Sequence, residues 1–163
     1  MQRIGLISDT HGLLRPEAVA FLRGCTHIIH AGDVGGAHVL EGLAALAPLT
    51  AVRGNNDAGA WADALAEFET LRVGGVTIDV IHDLGALKHR DARTGGQIVV
   101  SGHSHKPKVE QRGNILFVNP GSAGPRRFKL PVSVAELLVD RAESVAARIH
   151  ELVLAQGART RKR

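Results

Sequence analysis

Short apolar runs alternate with amphipathic stretches through the first third of the chain. Residues 3–8, 27–31 and 50–53 are apolar runs of strand length, which predicts buried β-strands. Residues 17–22 and 37–46, which lie between these runs, carry apolar side chains at helical spacing. The order strand, helix, strand, helix, strand is typical of a layered α/β fold with parallel strands.

The pattern in the rest of the chain favours antiparallel pairs. Gly74-Gly75 and Arg112-Gly113-Asn114 are turn sequences between apolar runs, so each predicts a hairpin, and the polar turn at residues 140–143 predicts a third. The runs that flank these turns are residues 68–73, 76–82, 109–111, 115–118, 132–139 and 145–152. Residues 84–91 are predicted to be helical and residues 98–101 to form a strand.

The end of the chain is ambiguous, because residues 146–155 fit a helix as well as a strand. We favour a strand, since a hairpin partner precedes it. No repeat, low-complexity region or long linker divides the chain. We therefore expect a single domain over residues 1–155, with two packed mixed sheets and helices outside them, and a basic, flexible tail over residues 156–163.

The composition excludes several classes of protein. About 44% of the 163 residues are apolar, which is enough for a core without disulfides. The single cysteine, Cys25, permits neither a disulfide within the chain nor a cysteine-based zinc site. The N-terminal apolar stretch is short and ends in polar residues, unlike a signal peptide or a membrane span. These features predict a cytoplasmic protein without a membrane partner.

Much of the formal net charge of +4 comes from the last five residues, which could contact nucleic acid or anionic lipid or be solvated. The sequence has no tyrosine, one tryptophan and four phenylalanines, so it offers few platforms for base stacking. This scarcity argues against a nucleic-acid partner. A second basic cluster, Arg126, Arg127 and Lys129, could contact a substrate phosphate or form a solvated turn.

Polar residues of the types that bind metals follow most of the predicted strands. They are Asp9, His11, Asp33, Asn55, Asn56, Asp57, His82, His103 and His105. In layered α/β proteins, ligands bind beyond the carboxyl ends of the strands. We therefore expect separate loops to bring these side chains to one site.

The chemistry of this set is specific for metal ions. Carboxylates, imidazoles and an amide, without any thiolate, suit Mn²⁺, Fe²⁺, Ni²⁺ or Zn²⁺, and Asp33 could bridge two such ions. The glycines at positions 12, 32, 54, 85 and 102 fit sharp turns that aim side chains into the site. Each short motif is a weak signal alone, but their joint occurrence at successive strand ends predicts a metal centre.

The ordered motifs resemble those of the calcineurin-like metallophosphoesterase superfamily. They are Asp9-x-His11, Gly32-Asp33, Gly54-Asn55-Asn56-Asp57, His82 and Gly102-His103-Ser104-His105. The later turn Asn119-Pro120-Gly121-Ser122 is similar to that of its small, single-domain bacterial and archaeal phosphodiesterase branch. The resemblance implies a four-layer α/β/β/α sandwich with two central mixed sheets. It also implies two divalent ions, most simply Mn²⁺, one held by Asp9, His11, Asp33 and His105 and the other by Asp33, Asn55, His82 and His103.

Two positions depart from the family pattern. The family commonly has a histidine, a proposed general acid, where this chain has Asn56, and an amide cannot supply a proton at neutral pH. The small phosphodiesterase branch often lacks that histidine too. The family often has His-Gly where this chain has His82-Asp83, and the added carboxylate could either support the site or be solvated.

The resemblance implies a metal-dependent phosphodiesterase that hydrolyses a small phosphate ester with a hydroxide bridging the two ions. Asp33, Asn55, Asn56, Asp57 and His103 are the expected catalytic residues. The absence of an acid at Asn56 favours diesters with good leaving groups. Alternatives with the same fold are a phosphomonoesterase or nucleotide phosphatase, a nuclease, and a non-catalytic metal-binding interaction scaffold. A nuclease of this superfamily would carry an added capping domain, and a scaffold would have lost ligands. A homo-oligomer is compatible with the sequence.

Overall fold

Two five-stranded mixed sheets pack face to face in the computed structural model, which describes residues 1–89 and 97–155. The strands are β1 (Gln2–Ile7), β2 (His27–His30), β3 (Leu49–Ala51), β4 (Phe68–Val73), β5 (Val76–Ile81), β6 (Ile98–Val100), β7 (Lys108–Arg112), β8 (Ile115–Asn119), β9 (Ser133–Val139) and β10 (Val145–Glu151). The helices are α1 (Pro16–Leu22), α2 (Ala37–Ala44) and α3 (Ala60–Asp63), and a 3-10 helix covers Leu84–His89.

The strand order brings the loops of the predicted site to one edge. The first sheet has the order β10-β9-β1-β2-β3, in which β1, β2 and β3 are parallel and β9 and β10 are antiparallel additions. The second has the order β4-β5-β6-β8-β7, with β5, β6 and β8 parallel. Parallel strands end at the same edge of a sheet, so the loops after β1, β2 and β3 lie side by side, as do those after β5 and β6.

The main core fills the space between the sheets and follows from side-chain alternation in the strands. Ile4 and Leu6 of β1 face Ile78 and Val80 of β5, and all four are completely buried. On the outer face of β1, Gly5 admits α1 so closely that a methyl group there would lie 2.4 Å from Leu22 Cδ2. The alternation of apolar residues therefore determines both packed layers.

A second cluster covers the outer face of the first sheet. Ile7 and Ile28 from the sheet pack with Leu22 of α1 and with Val39 and Leu43 of α2, and all are fully buried. On the second sheet, Leu84 of the 3-10 helix and Phe117 of β8 line the same surface cleft. The predicted sandwich with two central mixed sheets and helices outside them is confirmed.

Three local predictions need comment. The ambiguous last segment is a strand, because β10 pairs along its whole length with β9, from Val145 opposite Val139 to Glu151 opposite Ser133. Residues 84–91 were predicted to be helical, and Leu84–His89 form a 3-10 helix. The last two residues of the predicted range lie outside the described residues. The short helix α3 was not predicted.

The proposed basic tail, residues 156–163, also lies outside the described residues. Within the described ranges, no helix is long and apolar enough to cross a membrane.

Candidate metal centre

All seven predicted ligands lie just beyond strand ends. They are Asp9 and His11 after β1, Asp33 after β2, Asn55 after β3, His82 after β5, and His103 and His105 after β6. Within each sheet the loops are bonded through the backbone, since Asp9 N donates to Gly32 O and Gly102 N donates to His82 O, each at 3.0 Å. Between the sheets, His103 N donates to Asp9 Oδ2 at 3.1 Å. The two sheets therefore contribute ligands to one shared site.

Five of these residues hold a backbone conformation that is costly for any residue except glycine. Asp9, His11, Asp33, His103 and His105 have φ angles of +54°, +46°, +54°, +71° and +60°. The left-handed region costs a non-glycine residue about 1–2 kcal/mol, although Asp and His enter it more readily than most. Such strain collects at functional sites, where the surrounding structure imposes it. Here it turns each side chain into the site directly after a strand.

The first cluster of ligand atoms consists of Asp9, His11 and His105. Asp9 Oδ1 lies 3.3 Å from His105 Nε2 and 3.9 Å from His11 Nε2. Asp9 is completely buried, and its Oδ1 has no hydrogen-bond partner. An unpaired, buried carboxylate oxygen is costly unless a cation compensates it, so this cluster fits a divalent metal.

The second cluster consists of Asp9, Asp33 and His82. Asp33 Oδ2 lies 3.3 Å from His82 Nε2 and 3.9 Å from His11 Nε2, so this oxygen faces both clusters. Asp9 Oδ1 also lies 3.9 Å from His82 Nε2. The carboxylates of Asp9 and Asp33 therefore both stand between the two histidine groups, where the sequence had singled out Asp33 alone.

Asn55 and His103 complete the second cluster. Asn55 Oδ1 lies 3.0 Å from His82 Nε2 and 3.1 Å from His103 Nδ1. His82 Nδ1–H donates to Ala31 O at 2.7 Å, which leaves Nε2 directed into the site. A hydrogen bond from the ring nitrogen that does not face the metal fixes the ring orientation and the tautomer that a metal ligand needs. His103 is more exposed than the other histidines of the site.

The electrostatics of the site favour an ionised Asp33. Burial alone raises the pKa of Asp33, but hydrogen bonds from His82 and Asn56 outweigh it and hold the pKa far below the usual range. Burial lowers the pKa of His82, whereas its bond to Asp33 and the charge of Asp9 raise it, with a net increase. Burial, opposed by Asp9 and assisted by the charge of Arg127, keeps the pKa of His105 low.

Asn56 and Asp57 contact the ligand loops. The backbone N–H and the side-chain Nδ2 of Asn56 donate to the two carboxylate oxygens of Asp33, each at 2.9 Å. The carboxylate of Asp57 accepts from the N–H groups of Val34, Gly35 and Gly54. The loop therefore turns the side-chain amide of Asn56 onto Asp33. Asp57 ties the loops after β2 and β3 together.

Several supporting contacts had no role assigned from the sequence. Ser8 Oγ donates to Asp9 Oδ2 at 2.6 Å, and Ser122 Oγ donates to Asp9 O at 2.9 Å. His30, fully buried, accepts from Gly32 N and contacts Thr10 Oγ1. Ser8 directly precedes Asp9, and Ser122 ends the turn at residues 119–122. Their position in these motifs is the sequence signal that could have indicated a supporting role.

The comparisons with known proteins agree with this geometry. The profile of the calcineurin-like phosphoesterase superfamily domain matches residues 2–142. A protein of Methanothermobacter thermautotrophicus named "probable metallophosphoesterase" is 36% identical over 149 residues, 84% of this chain and 86% of that protein. A protein of the same name from Methanocaldococcus jannaschii is 32% identical over 157 residues, 91% of this chain and 82% of its own length.

Two solved structures show the same fold. An archaeal protein described as a novel phosphodiesterase has a TM-score of 0.74 at 21% identity, and the match covers 91% of this chain and all of that one (100%). A mutant of Vps29 from Entamoeba histolytica has a TM-score of 0.72 at 22% identity, covering 93% of this chain and 100% of the other. With the profile match and the two archaeal relatives, these comparisons establish that the chain belongs to the calcineurin-like phosphoesterase superfamily.

Proposed function

We propose that this chain is a metal-dependent phosphodiesterase with a paired site for two divalent ions, Mn²⁺ being the first choice. The observation that carries the proposal is the position of Asp9 and Asp33, whose Oδ1 and Oδ2 atoms lie between the His11/His105 pair and His82. Membership of a family of phosphoesterases supports the reaction class.

The donor set is suited to two ions. The first would be held by Asp9, His11, His105 and Asp33, and the second by Asp33, Asn55, His82 and His103. Two divalent ions, when bound, lower the pKa of water and offset the negative charge that develops on a phosphoryl group. Asn56 would hold Asp33 in place, and Asp57 would fix the spacing of the loops that carry Asp33 and Asn55.

The proposed preference for good leaving groups follows from the side chain at position 56. The amide of Asn56 is bonded to Asp33 and cannot protonate a leaving oxygen. His38, in the first turn of α2, donates through Nε2 to Gly12 O at 2.7 Å. An oxygen that leaves without a proton must be a weak base, so aryl diesters should be better substrates than alkyl esters. We also propose that the substrate is a small ester, that the protein is cytoplasmic and that it can form a homo-oligomer.

A direct test compares bis(4-nitrophenyl) phosphate with 4-nitrophenyl phosphate on Mn²⁺-loaded protein, with metal-free protein and Asp9→Ala as matched controls. We expect metal-dependent turnover of the diester that exceeds turnover of the monoester, and no activity in either control. Faster cleavage of the monoester would instead identify a phosphomonoesterase. If no phosphate ester is cleaved while metal still binds, the chain is a metal-binding scaffold.

A further inference from the structure

A cleft of about 240 Å³ opens directly beside the candidate metal centre. Gly102 and His103 form one end, and the cleft extends between Leu84 of the 3-10 helix and the outward side chains of β7 and β8, Phe117 among them. Clefts that bind drug-sized ligands measure about 300–1,000 Å³. This one therefore suits a single ring with a short substituent.

The inner part of the cleft offers a flat surface for such a ring. Phe117 is partly buried, and the guanidinium carbon of Arg112 lies 4.9 Å from the centroid of its ring. Arg112 is held in that position by Glu110, whose carboxylate lies 2.8 Å from Nη2. Aromatic rings and guanidinium planes both stack on planar groups, and Leu84 adds an apolar wall. A ring can therefore be enclosed between Leu84 and the β8 surface.

One of the three cations that line the cleft differs from the others in its contacts among the described residues. Glu110 contacts both Lys108, at 3.0 Å, and Arg112, so these two cations share one carboxylate. The remaining one is Lys106, for which the described part of the chain shows no carboxylate partner. Asp83 Oδ1 is engaged with the backbone N–H of Gly85 at 2.9 Å. Lys106 lines the same cleft as Gly102 and His103, which form its metal-centre end.

We propose that this cleft binds one ester substituent of the substrate and selects a planar ring that carries an anionic group, with Phe117 and Leu84 enclosing the ring and Lys106 pairing with the anion. The proposal rests on the phosphodiesterase function proposed above. It names the class of substrate, an aryl-type diester with an additional negative charge on the ring substituent, and it makes Lys106 a specificity-determining residue.

The test uses two diesters that differ only in charge, methyl 4-(carboxymethyl)phenyl phosphate and methyl 4-(carbamoylmethyl)phenyl phosphate. Their phenol leaving groups are nearly equal in basicity, so the ratio of their kcat/KM values reports on binding of the side group. We expect the carboxylate to be preferred about two- to fivefold by the wild type, the range for an exposed ion pair. The preference should shrink as salt is added.

Lys106→Met should bring this ratio to about one, through KM, while Lys108→Met is the matched control. Because Lys108 is already bonded to Glu110, whereas Lys106 is proposed to face the ligand's anion, removal of Lys108 should leave most of the preference in place. Phe117→Leu should raise KM for both esters equally. No preference in the wild type, or a preference that survives Lys106→Met, would overturn the assignment.

A second measurement separates this proposal from the proposed function. Zinc-loaded protein, which is diamagnetic, is titrated with 4-hydroxyphenylacetate and followed by amide NMR. We expect the largest shifts at Gly102, Ser104 and Phe117, and their loss in Lys106→Met. If these shifts occur but no ester is cleaved, the proposed role of the cleft is supported and the proposed phosphodiesterase function is wrong. If esters are cleaved without preference and no shifts occur there, the cleft assignment alone fails.

Discussion

His11 and His105 bring their Nε2 atoms to 3.4 Å of each other across 94 residues of sequence. A hydrogen bond between two neutral imidazoles can use only one proton, and it would leave Asp9 Oδ1 unsatisfied. A cation between the three atoms satisfies all of them at once. This pair of histidines is therefore the clearest sign that the site is arranged around a metal rather than around hydrogen bonds.

Each of the two clusters should bind its own metal ion. Wild-type protein loaded with Mn²⁺ and desalted should hold two ions per chain, whereas His11→Ala and His82→Ala should each hold about one, because each change removes a ligand from a different cluster. Elemental analysis measures the ratio. His150→Ala, at an exposed histidine stacked on Phe21, is the control and should retain two. A wild-type ratio fixed at one under every loading condition would contradict the paired site.

Asp33→Ala should abolish most of the activity without unfolding the protein. Asp33 Oδ2 faces both His82 and His11, so its loss affects both proposed ions. Loss of a supporting group near a metal costs about 10–100-fold, and removal of this ligand should cost more. Steady-state rates in excess Mn²⁺ and circular dichroism test this, with exposed Asp63→Ala as the control. Near-normal turnover in Asp33→Ala would show that the carboxylate is not shared.

The rate should depend steeply on the basicity of the leaving group. A positioned general acid contributes about 10²–10⁴-fold, and the amide of Asn56 cannot act as one. A series of substituted phenyl diesters gives the slope of log kcat/KM against phenol pKa. Asn56→His should flatten this slope, although the lost bond to Asp33 should lower rates overall. A shallow slope in the wild type would mean that another residue supplies the proton.

Buried His30 should make the metal-free protein less stable in acid. Burial lowers the pKa of His30 from 6.5 to about 3, so between these values the unfolded state binds a proton that the folded state excludes. Stability must then rise with pH through this window and be fully present above it. From pH 7.5 to pH 5, the wild type should lose about 2 kcal/mol more than His30→Gln, whose amide does not titrate.

Urea unfolding at both pH values measures this difference for the two proteins. His30→Gln should be less stable than the wild type at the higher pH, because an amide cannot reproduce both contacts, to Gly32 N and to Thr10 Oγ1. Equal losses in the two proteins would mean that His30 is protonated in the folded state.

Replacing Phe128 with a smaller polar residue should stabilise the folded protein. Its φ is +53°, in the left-handed region, and its side chain is 91% exposed, so it combines backbone strain with little packing. Asn tolerates this conformation, and Phe128→Asn should stabilise the protein by about 1 kcal/mol. Phe128→Leu keeps the bulky side chain and should not. Thermal unfolding of both variants decides the question, and equal melting temperatures would rule out strain as the cause.

The sequence predicted the residues of the site better than their contacts. Strand ends could be located from apolar runs, and parallel order then placed Asp9, Asp33 and Asn55 at one edge. The direction of the Asn56 amide could not be predicted, because it depends on the loop that brings Asn56 N onto Asp33. The contribution of Asp9 Oδ1 to both clusters likewise depends on distances between loops from two sheets.

In the fold, too, local sequence patterns left open what the hydrogen bonds between elements decide. The period of β10 alone left helix and strand open, and only its hydrogen bonds to β9 decide between them. The helix α3 has four residues, too few for any periodicity to be visible. In the 3-10 helix Leu84–His89, apolar residues alone could not distinguish this geometry from an α-helix.

The left-handed backbone of five candidate ligands has an evolutionary consequence. Glycine at these positions would relieve strain, so substitutions that destroy the site should be among the easier routes to a more stable fold. A lineage that no longer needed the site would drift towards them quickly.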